Sequence, residues 1–337
     1  MRNGFVRILV ALFVALLAVP ALTAAPLNVA VFIPGVVAGS PTYEQIVAAA
    51  DKMAAAGSIT SKVVEGGFNQ ADWPEKVTSL AATGSYDLIL TTNPSMPGIC
   101  ADVAKDFPSQ KFAVVDGMLA GNAQIYTLLY NQVEQGYFAG YLAGLVTKST
   151  MKGANKDLKV GAIVAQEYPA LTVEMIPGYT QGFKAIDSKI TLDYRIVGNW
   201  YDATKGADLA NSMFDSGVDV ILCIAGGAGQ GVIKAAQDRG KYVIYFDADL
   251  YSLAPNTIVG CATLDQARAT TEVLKKAIAG SLPYGTADIV ATKDGYVDFA
   301  DKNPLYTKAV TKDVLDKMAV MLKQFRTGAK SLPVPKM

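Results

Sequence analysis

Two acids stand where an apolar run gives out. Asp116 follows Lys111–Val115 (KFAVV), and Asp247 follows Lys241–Phe246 (KYVIYF). A carboxylate in such a place is costly unless it is paired or hydrogen-bonded. Sugar hydroxyls are good donors to it, because charge-assisted bonds are roughly twice as strong as neutral ones. The two acids lie in different halves of the chain, so they could grip opposite sides of one polyol; capping two turns is the alternative use. Flat side chains accompany them. Trp200 sits in Gly198-Asn199-Trp200-Tyr201-Asp202, between a strand and a helix, where its indole stacks on a ring or packs a lobe. Such stacking contributes roughly 1–3 kcal/mol. Tyr43 and Tyr168 are further stacking candidates. Asn93, after the strand Tyr86–Thr92, offers a donor and an acceptor. Ser40 caps the following helix or faces a ligand. Asn131, at the junction of the two halves, completes the polar set. Trp73 opens a helix and reads as packing.

The run Gly226-Gly227-Ala228-Gly229-Gln230-Gly231 invites a dinucleotide-binding reading and fails it. Counted from Gly227 and Gly229, the third glycine slot holds Val232, and no Gly-Lys-Ser/Thr follows. The run reads instead as a turn around Gly227 that lets backbone approach a ligand and starts a helix at Gly229.

Composition removes whole classes of chemistry. There are 0 histidines, which excludes Ser-His-Asp and Cys-His machinery and any His-ligated metal site. Lys+Arg and Asp+Glu are 30 each, so there is no basic surplus for nucleic acid. The three cysteines, Cys100, Cys223 and Cys261, have no metal-ligand spacing. They read as small buried residues, with a Cys223–Cys261 bridge open. No catalytic residue, metal or cofactor is indicated. At the N-terminus, Arg2 and Arg7 flank the apolar run Ile8–Val19, then Pro20 and small residues at 23–25. That is the layout of a secretory signal over residues 1–25, with an uncleaved anchor as the alternative. No Cys lies there to carry a lipid. An exported, periplasmic protein is expected.

Elements must position these residues, and they alternate. Apolar strands are expected at 27–33, 59–65, 86–92, 111–116 and 125–130, with helices at 43–56, 72–82 and 97–106. After the helix 134–146 the pattern restarts. Strands at 159–165, 191–197, 219–225, 241–247 and 258–263 alternate with helices at 173–186, 203–216 and 229–239. Late helices follow at 270–279 and 312–326. Strands this apolar belong in parallel sheets covered on both faces. The fold class is α/β, with two Rossmann-like lobes of four or five parallel strands each. Open sheets bind ligands beyond the carboxyl ends of their strands. Two such ends face to face make a cleft that closes about a hinge at 130–132.

Several stretches together resemble the basic membrane protein family of substrate-binding proteins, which includes purine nucleoside receptors of ABC importers. They are Val133–Leu142 (VEQGYFAGYL), Gly178–Phe183 (GYTQGF), Asn199–Gly206 (NWYDATKG), Ala225–Val232 (AGGAGQGV) and Lys241–Asp249 (KYVIYFDAD). The resemblance implies a type I periplasmic-binding fold with three crossovers between lobes. Lobe 1 would be 26–130 plus about 264–284, and lobe 2 would be 131–263 plus about 285–337. It also implies a stacking aromatic at Trp200 and ribose-binding acids at Asp116 and Asp247. The Ser-Phe-Asn motif of the nucleoside binders is here Ser40-Pro41-Thr42, with Tyr43 nearest to the missing ring. The expected Lys near Thr263 and Leu264 is absent. The chain also resembles a riboflavin-binding branch, whose ligand joins a wider ring to a hydroxylated chain. The implied partners are riboflavin or a nucleoside, and the permease and ATPase of an importer, with peripheral contact at the permease. An exported nucleoside hydrolase-like enzyme and a ligand-sensing ectodomain are the competing readings.

Overall fold

The computed structural model describes residues 25–335, so most of the expected signal segment lies outside the described residues. The first strands are β1 (Leu27–Ile33), β2 (Ile59–Glu65), β3 (Leu88–Thr92), β4 (Lys111–Val115) and β5 (Ile125–Tyr130). Between them run α1 (Pro41–Ala55), α2 (Trp73–Ala82) and α3 (Met96–Asp106). After α4 (Gln132–Thr147) come β6 (Lys159–Val164), α5 (Ile176–Ile186), β7 (Thr191–Ile196), α6 (Ala203–Asp215) and β8 (Val220–Ile224). Then follow α7 (Gly229–Arg239), β9 (Tyr242–Asp247), β10 (Ile258–Leu264) and α8 (Gln266–Ile278). The chain ends with β11 (Ala287–Val290), β12 (Val297–Phe299), α9 (Pro304–Ala309) and α10 (Lys312–Arg326).

Two six-stranded sheets form, in the orders β11-β5-β4-β3-β1-β2 and β12-β10-β9-β8-β6-β7. The sequence led us to expect four or five strands in each. The extra strands, β11 and β12, are only 4 and 3 residues long, too short to leave a periodic signal. β12 runs antiparallel to β10, so the second sheet is mixed. The chain passes between sheets three times, after β5, after β10 and after β11. β11 pairs with β5 over residues 287–290, so the last return falls near residue 291 rather than 285. Central strands β3, β4 and β8 are buried throughout or nearly so, as parallel sheets covered on both faces require.

The cysteines do not bridge. Cys223 and Cys261 are both in register with Tyr245, on opposite sides of β9. Two strand spacings, about 10 Å, exceed the reach of a disulfide. Burial pushes the Cys223 thiol up to about 12.

Helix α4 is buried along nearly its whole length. Its glycines explain how. A Cβ on Gly136 would meet Met175 O at 2.2 Å, and one on Gly140 would meet Tyr179 O at 1.9 Å. From the other side, a Cβ on Gly178 would meet Val133 O at 2.3 Å, and one on Gly182 would meet Tyr137 O at 2.3 Å. The backbones of α4 and α5 therefore touch, and only glycine permits it. We expect Gly140→Ala to destabilise the fold by roughly 1–3 kcal/mol in chemical denaturation, despite alanine's better helix propensity. Gly98, in α3, has nothing within 4 Å of its would-be Cβ. Gly98→Ala should stabilise by roughly 0.5–1 kcal/mol. Equal effects at the two positions would refute the close contact.

Candidate functional site

The first and second sheets each send an acid into the space between them. Asp116 follows β4 with φ 66°, and Asp247 ends β9 with φ 70°. Asn93, just after β3, has φ 94°. L-residues visit this region at a cost, and such strain clusters at binding sites. The turn geometry lifts each side chain off the end of its strand.

One helix services both acids. Gln132 Nε2 donates to Asp116 Oδ1 at 3.3 Å, while Gln135 Nε2 donates to Asp247 Oδ1 at 2.9 Å and to Ala262 O at 3.1 Å. Residues three apart share a helix face, so the first turn of α4 reaches both carboxylates. Across the lobes, Thr42 Oγ1 donates to Asp247 Oδ2 at 3.3 Å. Asp116 is pushed up to about 8, first by burial and then by the charges of Asp247 and Glu174, against the Gln132 amide. Asp247 is also raised, by burial. Glu174 is buried and is pushed up to about 7 by that burial. No Lys or Arg is among the groups acting on these three acids.

The aromatic residues fall on the same cleft. Tyr43 and Tyr168 both feel the charges of Asp116 and Asp247. The Tyr43 hydroxyl donates to Pro34 O at 3.0 Å. The Tyr168 and Trp200 rings lie 6.4 Å apart at 35°, and Trp200 Nε1 donates to Gln166 Oε1 at 3.2 Å. At the mouth, Phe68 of the first lobe and Tyr201 of the second lie 6.4 Å apart, although 63% and 69% exposed.

Among the other expected positions, Asn131, Gly227 and Asn93 have partners within the fold. Asn131 caps α4, its Oδ1 accepting from Glu134 N at 3.2 Å and its Nδ2 donating to Leu332 O at 2.8 Å. Its polar atoms therefore serve the hinge and not the cleft. Gly227 lies behind Trp200: its would-be Cβ is 3.3 Å from Trp200 O, and that of Gly226 is 3.2 Å from Trp200 Cε3. The glycine turn approaches the tryptophan, which it holds in place. Ser40 occupies the N-cap position of α1 without a side-chain capping bond. Asn93 lies beside the Tyr43 hydroxyl, and its Oδ1 accepts from Ser95 N at 2.9 Å.

Sequence reasoning missed Gln132, Gln135 and Glu174. The glutamines open a helix that follows directly on a buried strand, a place where amides go unremarked. Glu174 lies on the π-turn Leu171–Met175 just before α5, whose irregularity hides its facing.

Residues 27–326 match the family model described as ABC transporter substrate-binding protein PnrA-like. The chain belongs to this family. A Listeria innocua CD4+ T-cell-stimulating antigen is 30% identical over 188 residues, which cover 54% of this chain and 50% of the relative. The ABC transporter nucleoside-binding protein BmpA of Lactococcus lactis is 26% identical over 235 residues, 65% of this chain and 64% of the relative. The aligned regions thus span about half to two thirds of these relatives. An Aeropyrum pernix ABC transporter solute-binding protein superposes with TM-score 0.82 at 19% identity, covering 93% of this chain and 94% of that one. A Caulobacter myo-inositol binding protein superposes with TM-score 0.62 at 17% identity, covering 90% and 97%. The fold is the two-lobed α/β type I periplasmic-binding fold. Among the described residues no helix is long and apolar enough to cross a membrane.

The acids make a prediction about pH. The folded chain keeps a proton on Asp116 up to about 8, whereas the unfolded chain loses it near 3.8. The stability associated with this group is therefore full below about pH 4 and is lost as pH rises through about 8. We expect Asp116→Asn to raise the melting temperature of the ligand-free protein at about pH 8, a gain worth roughly 1–3 kcal/mol. The gain should shrink steadily towards pH 4. A lowered melting temperature at pH 8 would mean that the carboxylate is well paired in the folded chain.

Proposed function

We propose that this protein captures a flat heterocycle with a hydroxylated tail, riboflavin ahead of a purine nucleoside, and delivers it to the permease of an ABC importer. The observation that carries the reading is the meeting of Asp116 and Asp247, from opposite sheets, beside Tyr43, Tyr168 and Trp200. Two carboxylates with no opposing cation call for a ligand rich in hydroxyl donors, which form charge-assisted bonds to them. The rings supply an apolar, flat-faced surface for the heterocycle. The absence of a Lys near Thr263, and a Tyr in place of Phe at the first stacking position, favour the wider flavin with its open ribityl chain. The nucleoside reading is supported by the Lactococcus relative, which is named a nucleoside-binding protein.

Capture needs no bond to be broken. Ligand enters the open cleft, its tail binds the acids, and closure buries it between the lobes. The protein would act outside the cytoplasm, touching the membrane only through the permease, while the ATPase drives release. A hydrolytic reading draws on the same carboxylates and predicts free base or free sugar after incubation with nucleoside.

Protein purified without denaturation, from cells grown with riboflavin, should carry flavin absorbance, and mass spectrometry of the released ligand should identify it. Trp200→Ala should weaken binding by roughly 1–3 kcal/mol, about 5- to 150-fold in Kd, by fluorescence titration. Its melting temperature should barely move, because Trp200 is only half-buried. Unchanged affinity would remove Trp200 from the site. Release of products would make the protein an enzyme.

A further inference from the structure

The two lobes also meet through a pair of rings that the capture scheme does not use. Phe68 and Tyr201 are 63% and 69% exposed, yet their ring centroids lie 6.4 Å apart at 54°, within the range of an aromatic pair. A single exposed ring needs no explanation. Two that meet across a cleft are different, because their contact exists only while the lobes are together.

Sheet order places this contact. The crossings follow β5, β10 and β11, at the β11-β5 end of the first sheet and the β12-β10 end of the second. Phe68 follows β2 and Tyr201 follows β7, the strands that close the opposite ends. From β5 to β2, and from β10 to β7, there are four strand spacings, about 19 Å. Asp116, after β4, and Asp247, on β9, stand one spacing from the crossings. The rings therefore sit at the far end of the mouth, on the longest arm of both lobes. A small rotation about the crossings separates them most.

Neither ring hangs on a loose loop. Gly66 N donates to Ile33 O at 2.7 Å, and Gly67 N to Gly35 O at 2.9 Å. The carbonyls of the same two glycines accept in turn, Gly66 O from Lys76 Nζ at 2.7 Å and Gly67 O from Nε1 of the buried Trp73 at 3.0 Å. A Cβ on Gly66 would meet Trp73 Cδ1 at 2.9 Å, so the loop lies directly against that indole. Tyr201 stands on an Asn turn: Asn199 Oδ1 accepts from Tyr201 N at 3.0 Å and from Asp202 N at 2.8 Å. Ala203 N donates to Tyr201 O at 2.9 Å. Both rings are held in fixed places before they meet, which lowers the ordering cost of the contact.

We propose that Phe68 and Tyr201 form an aromatic latch across the mouth, which favours the closed cleft and slows escape of the bound ligand. The inference rests on the reading of the cleft as a ligand site that closes about its crossings. The contact is present in the closed form and lost in the open one, so it shifts the balance between them. A ligand buried by closure leaves only when the lobes part. Loss of the latch should therefore act on dissociation. The two rings are positioning residues, acting through the lobes, whereas Trp200 is the stacking candidate.

The test is Kd and dissociation rate for the parent, Phe68→Ala, Tyr201→Ala and the double variant, with riboflavin and guanosine as probes. We expect each single change to weaken binding by about 2- to 10-fold for either probe, through faster dissociation. The double variant should lose no more than the weaker-binding single one. Tyr201→Phe should keep the parent values, since the contact needs the ring and not the hydroxyl. Melting temperatures should barely move, because both rings are exposed. Additive losses, a loss at Tyr201 alone, or unchanged dissociation would overturn the latch. Phe68→Cys/Tyr201→Cys, treated with a short bifunctional thiol reagent, should crosslink within one chain by peptide mass mapping, the native cysteines being buried. Failure to crosslink would also overturn it. If neither probe binds but the crosslink forms, the ligand reading fails while the meeting of the lobes at these rings stands.

Discussion

The constraint on which the rest of this structure depends is a set of acids brought together where the two lobes meet, with no Lys or Arg among the groups acting on them. Asp116, Asp247 and Glu174 all have raised proton affinities, and burial is the first cause in each case. A fold selected for stability alone would place Asn or Gln there, or add a Lys. On the proposed function, the missing donors are those of a hydroxyl-rich ligand. In its absence the protein meets the cost by holding protons and by spending two glutamine amides of α4. On that proposal the same cost would favour capture, because ligand hydroxyls would relieve the desolvated acids. Strain points the same way: the two acids that end strands, and Asn93 beside Tyr43, all have positive φ. Binding sites of this kind exchange stability for a prepared geometry.

That geometry needs a rigid floor, and the floor is the contact between α4 and α5. Glycine at 136, 140, 178 and 182 brings two helix backbones together at a spacing that any Cβ would prevent. The first turn of α4 carries Gln132 and Gln135, and the π-turn before α5 carries Glu174. Small errors in the helix spacing would move all three relative to the acids. The glycines have a positioning role, although none of them meets the ligand. The turn at Gly226–Gly227 does the same for Trp200, approaching its carbonyl and ring edge from behind.

Much of this was legible in the sequence, and the reasons for the failures are physical. Long apolar strands such as Leu27–Ile33 and Lys159–Val164 declare themselves by composition, and the acids at 116 and 247 stand out because each ends such a run. Short β11 and β12 carry no such signal, and they exist because neighbouring strands offer them an edge. The side chain of Asn131 looked available, yet a residue that starts a helix has its own N–H groups to satisfy. Gln132 and Gln135 were invisible because their importance depends on what the turn after β4 and the end of β9 bring to them. A pairing of Cys223 with Cys261 depended on strand order, which no pattern along the chain reveals, and Tyr245 on β9 lies between them.

The contacts between the lobes differ between back and front, and this difference implies a direction of motion. At the back, the crossings are tied by buried groups: Glu134 accepts from Thr292 N and Leu332 N, and Asn131 donates to Leu332 O. The terminal segment is held further by Lys330 Nζ donating to the Tyr137 hydroxyl at 2.7 Å. Breaking these would leave a buried carboxylate without its donors, a loss of several kcal/mol. At the front, Thr42 meets Asp247 through one bond of 3.3 Å, and Phe68 meets Tyr201 in solvent. Such contacts are weak singly and are readily replaced by water. Parting of the lobes would therefore cost least at the mouth, where the half-buried cleft acids lie, and most at the buried ties.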